Sequence, residues 1–317
     1  MKVLLGISGG ADSVAMLRLL YDLWTRSSGN DQSNLVVAHY NHNLRGEQSN
    51  ADQAFVCELA NTLGLTSHTQ TAVIEQGSRA ANGGEAAFRS ARYRYLQTTA
   101  EKIGARCVLV AHTADDNVET MLHHLFRGTG ARGLAGIAPH RSLSDDLVLL
   151  RPMLAMRRDE LRMGLREINQ AWREDASNTD ERFQRNWIRG KLLPTIRERF
   201  PRADEAILRA IDNQSQIREQ IHSDAKAWID RCATRNGDQF VLQRGSIELA
   251  TLSAVVRLLW DQIKWPRQSM TTKHLRRLHA TITGRSDGAF TLPGDVQCQV
   301  IQQRITLKRE RLVTATF

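Results

Sequence analysis

The chain has 317 residues, of which 41% are hydrophobic, and its formal net charge is +9. This length fits roughly two or three domains, and no apolar stretch is long enough to span a membrane. The N-terminus has no signal-peptide pattern and the four cysteines are widely spaced, so we expect a cytoplasmic protein without a disulfide framework or zinc site. The excess of basic residues favours a polyanionic partner.

The first predicted unit is a strand, a glycine turn and a helix. An apolar run, residues 3–7, precedes SGGADS, residues 8–13, and a helical pattern follows. Glycines let backbone N–H groups approach a ligand closely, and the helix start adds unpaired N–H groups and a positive dipole end. We interpret the turn as a phosphate cradle rather than an ordinary βα turn. A carboxylate repels phosphate, so Asp12 predicts a bridging divalent cation, most naturally Mg²⁺.

This loop differs from two familiar phosphate loops. No lysine follows the glycines as in G-x-x-x-x-G-K-[ST], and the G-x-G-x-x-G pattern is absent. The six residues instead resemble the SGGxDS loop of ATP pyrophosphatases that release AMP.

Short apolar strands then alternate with helical patterns as far as residue 150. Strands are predicted at residues 35–38, 66–73, 107–111 and 147–150. Helices are predicted before Gly64, over residues 85–104 and within residues 112–127. This alternation predicts an α/β fold with a doubly wound parallel sheet. Ligands bind at the carboxyl ends of such strands, where the polar clusters at residues 8–13, 39–45 and 112–119 fall.

The composition changes after residue 155, and we predict three regions. Residues 1–155 form an ATP-binding catalytic domain, residues 156–236 a helical RNA-binding region, and residues 237–317 a small α+β region. Six arginines and one lysine crowd residues 182–202, with aromatic residues between them. Basic side chains bind phosphates and aromatic rings stack on unpaired bases. We interpret these arginines as RNA contacts and Trp187 as a core residue.

Several motifs occur together in a fixed order. After SGGADS come HYNHNLRG (39–46), EAAFRSARY (85–93), AHTADDNVETMLHHLFRGTGARGLAG (111–136), RPML (151–154), DASN (175–178) and RNWIRGKLLP (185–194). This set resembles the tRNA(Ile)-lysidine synthetase family over about residues 3–194, and the match is weaker after residue 200. The chain resembles a short form of the family without its last domain.

The resemblance implies a specific reaction. ATP adenylates the C2 carbonyl oxygen of cytidine 34 in the CAU anticodon of tRNA(Ile), and pyrophosphate leaves. The ε-amine of free L-lysine then attacks C2, AMP leaves and lysidine forms. ATP and Mg²⁺ are therefore the expected cofactors, and tRNA(Ile) and lysine the expected partners. The oligomeric state is left open, with a homodimer as one option.

The motifs supply candidate site residues. ATP binding is assigned to Ser8, Gly9, Gly10, Ala11, Asp12, Ser13, His39, His112 and Arg45. Mg²⁺ binding is assigned to Asp12, Asp115 and Asp116, and catalysis to Asp12, Asp116 and Glu119. Asp116 and Glu119 share a helix face at i, i+3 and are assigned to the lysine ammonium. Contact with tRNA is assigned to Arg89, Arg182, Arg185, Arg189 and Lys191.

Structural alternatives remain for some of these residues. Asp115 could simply cap a helix, and His39 and His112 could be hydrogen-bonded core histidines. Arg185 and Arg189 could brace the junction between domains. The chain also differs from the family pattern at Asn43, Thr113 and Asn117, where Gly, His and Gln are common.

Two other functions fit part of the sequence. A cytidine-thiolating enzyme with the same loop would need cysteines for sulfur transfer or a cluster, which the cysteine spacing disfavours. A non-catalytic RNA-binding protein with a nucleotide-binding fold is the second alternative. The intact Asp12, Ser13, Asp116 and Glu119 argue against it.

Overall fold

The computed structural model describes residues 1–27, 31–73, 84–174 and 183–309. The chain divides into two compact units, Met1–Asp212 and Asn213–Phe317. The boundary falls within a long helix, α9 (Ala203–Cys232). The predicted helical region, residues 156–236, is therefore shared between the two units.

In its described part, the first unit contains a six-stranded sheet in the order β3-β2-β1-β4-β6-β5. The strands are β1 (Lys2–Gly6), β2 (Leu35–Asn41), β3 (Thr66–Thr71), β4 (Ala105–Val110), β5 (His140–Ser144) and β6 (Leu147–Leu150). The pairings among β1, β2, β3, β4 and β6 are parallel, which confirms the predicted α/β class. The edge strand β5 pairs antiparallel with β6 and was not predicted, because its sequence HRSLS is largely polar.

Helices cover both faces of this sheet. They are α1 (Ala11–Arg26), α2 (Glu47–Thr62), α3 (Gly84–Ile103), α4 (Ala114–Phe126), α5 (Ala131–Leu134) and α6 (Arg158–Glu167). Successive strand side chains point to opposite faces, so Leu5 packs in a core with α1, α2 and α6, whereas Leu4 packs in a core with α3. The carboxyl ends of the strands are thereby left to the connecting loops.

A further helical segment packs against α4. It comprises α7 (Gln184–Trp187), a π-helical turn (Ile188–Leu192) and α8 (Leu193–Arg199). Ile188 and Leu193 form a small core with Val118 and Leu122 of α4. The side chain of Trp187 is 46% exposed, so its prediction as a core residue was wrong: Ile188, the next residue, takes the buried position.

The second unit contains the rest of α9, a five-stranded sheet and two more helices in the part that the structure describes. The sheet order is β7-β8-β11-β10-β9 and its pairings are antiparallel. Its elements are β7 (Ala233–Asn236), β8 (Gln239–Gln243), α10 (Leu249–Gln262), α11 (Thr272–Ile282), β9 (Phe290–Leu292), β10 (Val296–Ile301) and β11 (Arg304–Arg309). This combination of two helices and short strands confirms the predicted α+β class of the C-terminal region. Within the described ranges, no helix has both the length and the apolar character needed to cross a membrane.

Candidate active site

The carboxyl ends of β1, β2 and β4 border a cavity of about 1010 Å³ in the first unit. Its lining includes these predicted site residues: Ser8, Gly10, Ala11, Asp12, Ser13, His39, Arg45, Arg89, His112, Asp115, Asp116, Glu119, Arg185 and Arg189. Gly9 and Lys191 are described but do not line it, and Arg182 and the DASN motif lie outside the described residues. Segments distant in sequence therefore meet at one edge of the sheet.

The SGGADS loop is tied together by Ser13. Its Oγ accepts hydrogen bonds from the N–H groups of Ser8 and Gly9, each at 3.2 Å, and donates to the Gly10 carbonyl at 2.9 Å. Gly9 has φ of +94°, a conformation that L side chains rarely adopt. Because Ser13 already holds two loop N–H groups, a phosphate would first meet the start of α1, where helix N–H groups lack carbonyl partners.

Asp12 is a half-buried carboxylate whose side chain is 23% exposed. Its Oδ2 accepts a hydrogen bond from Arg158 Nε at 3.1 Å, whereas the buried Oδ1 has no hydrogen-bond partner among the described residues. Burial raises the pKa of the Asp12 carboxyl, with Arg158 opposing and Asp116 reinforcing the shift. The raised pKa means that keeping Asp12 ionised in the folded chain costs free energy. Such a cost is typical of functional sites rather than of stabilising ion pairs.

Helix α4 presents Asp116 and Glu119 on one face, as their spacing predicts. Thr113 is the N-cap, and Asp116 Oδ2 accepts hydrogen bonds from the Thr113 N–H at 2.9 Å and Oγ1 at 3.1 Å. This capping box fixes the Asp116 carboxyl and leaves its Oδ1 to accept hydrogen bonds from Arg158 and Arg185. Asp115 is not the cap of α4.

Three arginines surround Glu119, whose side chain is only 1% exposed. Arg189 binds both carboxylate oxygens, with Nε 2.7 Å from Oε1 and Nη2 2.9 Å from Oε2. Arg185 Nε is 3.1 Å from Oε2, and Arg158 Nη1 is 3.3 Å from Oε1. Arg185 and Arg189, predicted to contact tRNA, thus turn toward the cavity and one of its carboxylates.

Arg158 is the main site residue that the sequence analysis missed. This first residue of α6 joins Asp12, Asp116 and Glu119, with nitrogen–oxygen distances of 3.1, 3.1 and 3.3 Å. Burial acts against its charge, but Asp116, Asp12 and Glu119 raise the pKa of the guanidinium. The only sequence signal is a helix start rich in charge, Arg-Arg-Asp-Glu, shortly after RPML.

Asp115 lines the same cavity but faces α6. Its Oδ2 accepts the backbone N–H of Arg158 at 2.8 Å, and its Oδ1 lies 3.0 Å from Arg157 Nη2. Both oxygens therefore have protein partners, and Asp115 stabilises the start of α6. Its assignment to Mg²⁺ stays a prediction.

Two predicted histidines lie at the ends of buried strands. His39 is hydrogen-bonded through Nδ1 to the Ile7 carbonyl at 2.9 Å, and burial lowers its pKa. Burial, followed by nearby arginines, lowers the pKa of His112 to about 2, and within the described residues its buried Nδ1 has no hydrogen-bond partner. These surroundings favour the neutral imidazole.

Arg45 and Arg89 both line the cavity. Arg45 Nη2 is 2.7 Å from Asp52, and Arg89 Nη2 donates to the Tyr93 hydroxyl at 3.2 Å.

At Asn43, where the family often has Gly, φ is +54°. Asn tolerates this region better than most residues, so the departure preserves the backbone of the loop.

The donor set fits Mg²⁺ bound together with a phosphate ligand. Asp12 Oδ1, which has no hydrogen-bond partner in the part of the chain that the structure describes, and the neighbouring Asp116 carboxylate are oxygen ligands of the kind that this cation uses. Among the described residues, no group of three or more His, Cys, Asp and Glu side chains could hold a metal ion. Phosphate oxygens and water would therefore complete the coordination.

Comparison with known proteins agrees with this geometry. Residues 1–196 match the family described as a PP-loop domain. A solved structure, the U34-tRNA thiolase NcsA from Methanococcus maripaludis with its iron–sulfur cluster, shares the fold with a TM-score of 0.53 and 14% identity. The match covers 68% of this chain and 73% of that one. The first unit is thus a PP-loop ATP-binding domain.

Curated relatives identify the family within this class. The tRNA(Ile)-lysidine synthase of Rhodopirellula baltica is 42% identical over 89% of this chain and 80% of that protein. Those of Dehalococcoides mccartyi and Thermus thermophilus are 32% and 38% identical, and the match covers 64% and 41% of their lengths. The chain belongs to the tRNA(Ile)-lysidine synthase family, whose members are ligases that modify tRNA.

Proposed function

We propose that the chain ligates free lysine to C2 of cytidine 34 in the CAU anticodon of tRNA(Ile), converting ATP to AMP and pyrophosphate. The observation that carries the proposal is the single cavity shared by the SGGADS loop, Asp12, Asp116 and Glu119. A phosphate cradle and several carboxylates in one crevice suit a reaction that joins a nucleotide to an amine. All substrates are found in the cytoplasm, where we place the protein.

In the first step, the C2 oxygen of cytidine attacks the α-phosphorus of ATP and the bond to pyrophosphate breaks. The start of α1 and the loop would bind the leaving pyrophosphate. Asp12 and Asp116 would hold Mg²⁺, which neutralises phosphate charge when bound. His112, being neutral, would bind the nucleotide as a hydrogen-bonding group and not as a cation.

In the second step, the ε-amine of lysine attacks C2 and the bond from C2 to the AMP oxygen breaks. Asp116 and Glu119 would bind the ammonium before it loses a proton, and a carboxylate near the amine would accept that proton. Arg158, Arg185 and Arg189 already hold Glu119. The lysine ammonium would therefore join or replace a guanidinium at this carboxylate.

Thiolation is the second candidate, and the shared fold with a U34-tRNA thiolase raises it. All four cysteines are described as free thiols, and Cys57, Cys107, Cys232 and Cys298 belong to separate elements. None of them lines the cavity. This arrangement favours ligation over sulfur transfer.

The test is mass spectrometry of a tRNA(Ile) transcript after incubation with the protein, ATP, Mg²⁺ and lysine. We expect the anticodon cytidine to gain the mass of one lysine less one water, with one AMP released for each modified base. A transcript with uridine at position 34 should remain unmodified. Exchange of oxygen for sulfur, or absence of both AMP and a mass change, would contradict the proposal.

A further inference from the structure

A second pocket, of about 370 Å³, lies between α3 and the edge strand β5 of the first unit. Most of its lining comes from one face of α3, where residues spaced i, i+4 lie side by side. The lining includes Arg89, Ser90, Arg94, Gln97 and Arg141 around the ring of Tyr93. Arg94 and Arg141 are exposed, so a macromolecule can reach them.

Positive charge is concentrated in this pocket. The guanidinium carbons of Arg89 and Arg141 lie 5.0 and 5.1 Å from the centroid of the Tyr93 ring. Of the described residues that line the pocket, none is acidic. Burial alone would raise the pKa of the Tyr93 hydroxyl, but Arg89, Arg92 and Arg151 lower it. The potential here is therefore strongly positive, and a bound anion would relieve the repulsion among the guanidinium groups.

The pocket lies next to the large cavity, because Arg89 lines both of them. A chain molecule with one unit in the cavity would therefore have neighbouring units near α3 and β5. Arginine, serine and glutamine are side chains that contact phosphate and sugar groups of nucleic acids. These features favour a polynucleotide over a small anion or an acidic protein.

We propose that this pocket binds a backbone phosphate of the RNA substrate while the target base occupies the large cavity, with Arg94 and Arg141 as its exposed cationic residues. The inference rests on the proposed function, because it assumes that the substrate is RNA. Arg94, Gln97 and Arg141 lie outside the motifs that resemble the family. Arg89, Ser90 and Tyr93 belong to one of those motifs, EAAFRSARY.

The test is the affinity for tRNA(Ile) as a function of salt concentration in the double variant Arg94→Ala/Arg141→Ala. Counterion release predicts a loss of roughly five- to eightfold in affinity at 0.1 M salt for each phosphate contact removed. The slope of log affinity against log salt should fall by about one unit for each contact. ATP affinity, measured without RNA, should stay at the wild-type value.

Two further variants separate a local site from general electrostatics. Arg94→Lys/Arg141→Lys keeps both charges and should retain the wild-type salt slope. Arg26→Ala/Arg106→Ala removes two charges at the opposite edge of the sheet, at the end of α1 and the start of β4, and should leave tRNA affinity nearly unchanged. Equal losses in both alanine variants, or no loss in the first, would overturn the inference.

Competitors distinguish the sources of the anion. Polyuridylate should compete with tRNA more weakly against Arg94→Ala/Arg141→Ala than against the wild type. Inorganic phosphate or polyglutamate that competes as well as polyuridylate would overturn the assignment to RNA. If the wild-type protein fails to bind tRNA at all, the proposed function itself fails, an outcome distinct from a variant that binds tRNA as the wild type does.

Discussion

At the scale of single residues, Asp12 shows how the site favours binding over stability. Its carboxylate is half-buried, and among the described residues it has one basic partner within hydrogen-bond distance and leaves the buried Oδ1 without a hydrogen bond. The raised pKa of Asp12 means that burial disfavours its ionised form, even beside Arg158. A bound cation would favour the ionised form of Asp12 instead.

The variant Asp12→Asn should therefore lose activity without losing stability. The raised pKa of the folded state means that ionised Asp12 lowers stability above that pKa, so the neutral amide should leave the free energy of unfolding unchanged or higher. The measurements are urea unfolding in Mg²⁺-free buffer at pH 7.5 and AMP release with tRNA. A large loss of stability, or AMP release near the wild-type rate, would contradict the role given to Asp12.

At the scale of elements, the sequence predicts the parallel sheet well because β1, β2 and β4 are short apolar runs bounded by turns. The convergence of the SGGADS, His39 and His112 segments follows from the parallel topology alone. Strands β5 and β7 are polar edge strands whose sequences carry little apolar signal. Arg158 could not be predicted because its partners lie on two other elements, and only tertiary packing joins them.

Tertiary packing also decides where the side chains of the segment formed by α7, the π-helical turn and α8 point. Arg185 and Arg189 are in a dense basic run, which predicted RNA contact, yet the packing of Ile188 and Leu193 on α4 turns both toward Glu119. The two arginines therefore pair with Glu119 in the folded chain. Their contact with tRNA stays a prediction.

Removing Arg189 should destabilise the fold because Glu119 is almost completely buried. Loss of one partner of a buried charge costs a few kcal/mol, and because Arg158 and Arg185 remain we expect Arg189→Ala to lower the free energy of unfolding by about 1–3 kcal/mol. The matched control is Arg202→Ala, whose ion pair with Glu205 joins side chains that are 80% and 55% exposed. Its expected effect is below about 0.5 kcal/mol. Equal losses of unfolding free energy in the two variants, measured by urea unfolding, would show that the ion pair of Arg189 with Glu119 does not stabilise the fold.

At the scale of the whole molecule, acid should destabilise the fold through its histidines. Burial lowers the pKa of His39, of His42 to about 4 and of His112 to about 2, all in the first unit. Burial and nearby cations also lower the pKa of His222 in the second unit. The net charge of +9 adds repulsion, which increases as further groups become protonated.

The free energy of unfolding should therefore fall as the pH falls below 6.5, the ordinary histidine pKa. Between that value and the folded-state pKa, the unfolded chain binds more protons, so His42 and His112, whose pKa values are lowered furthest, each contribute a slope of up to about 1.4 kcal/mol per pH unit. The stability from His42 should be lost by about pH 4, whereas His112 should continue to contribute to about pH 2. Urea unfolding from pH 7.5 to 5 measures the slope, and His112→Asn should flatten it by about one histidine's contribution. Parallel curves for the variant and the wild type would show that the pKa of His112 is the same in the folded and unfolded chains.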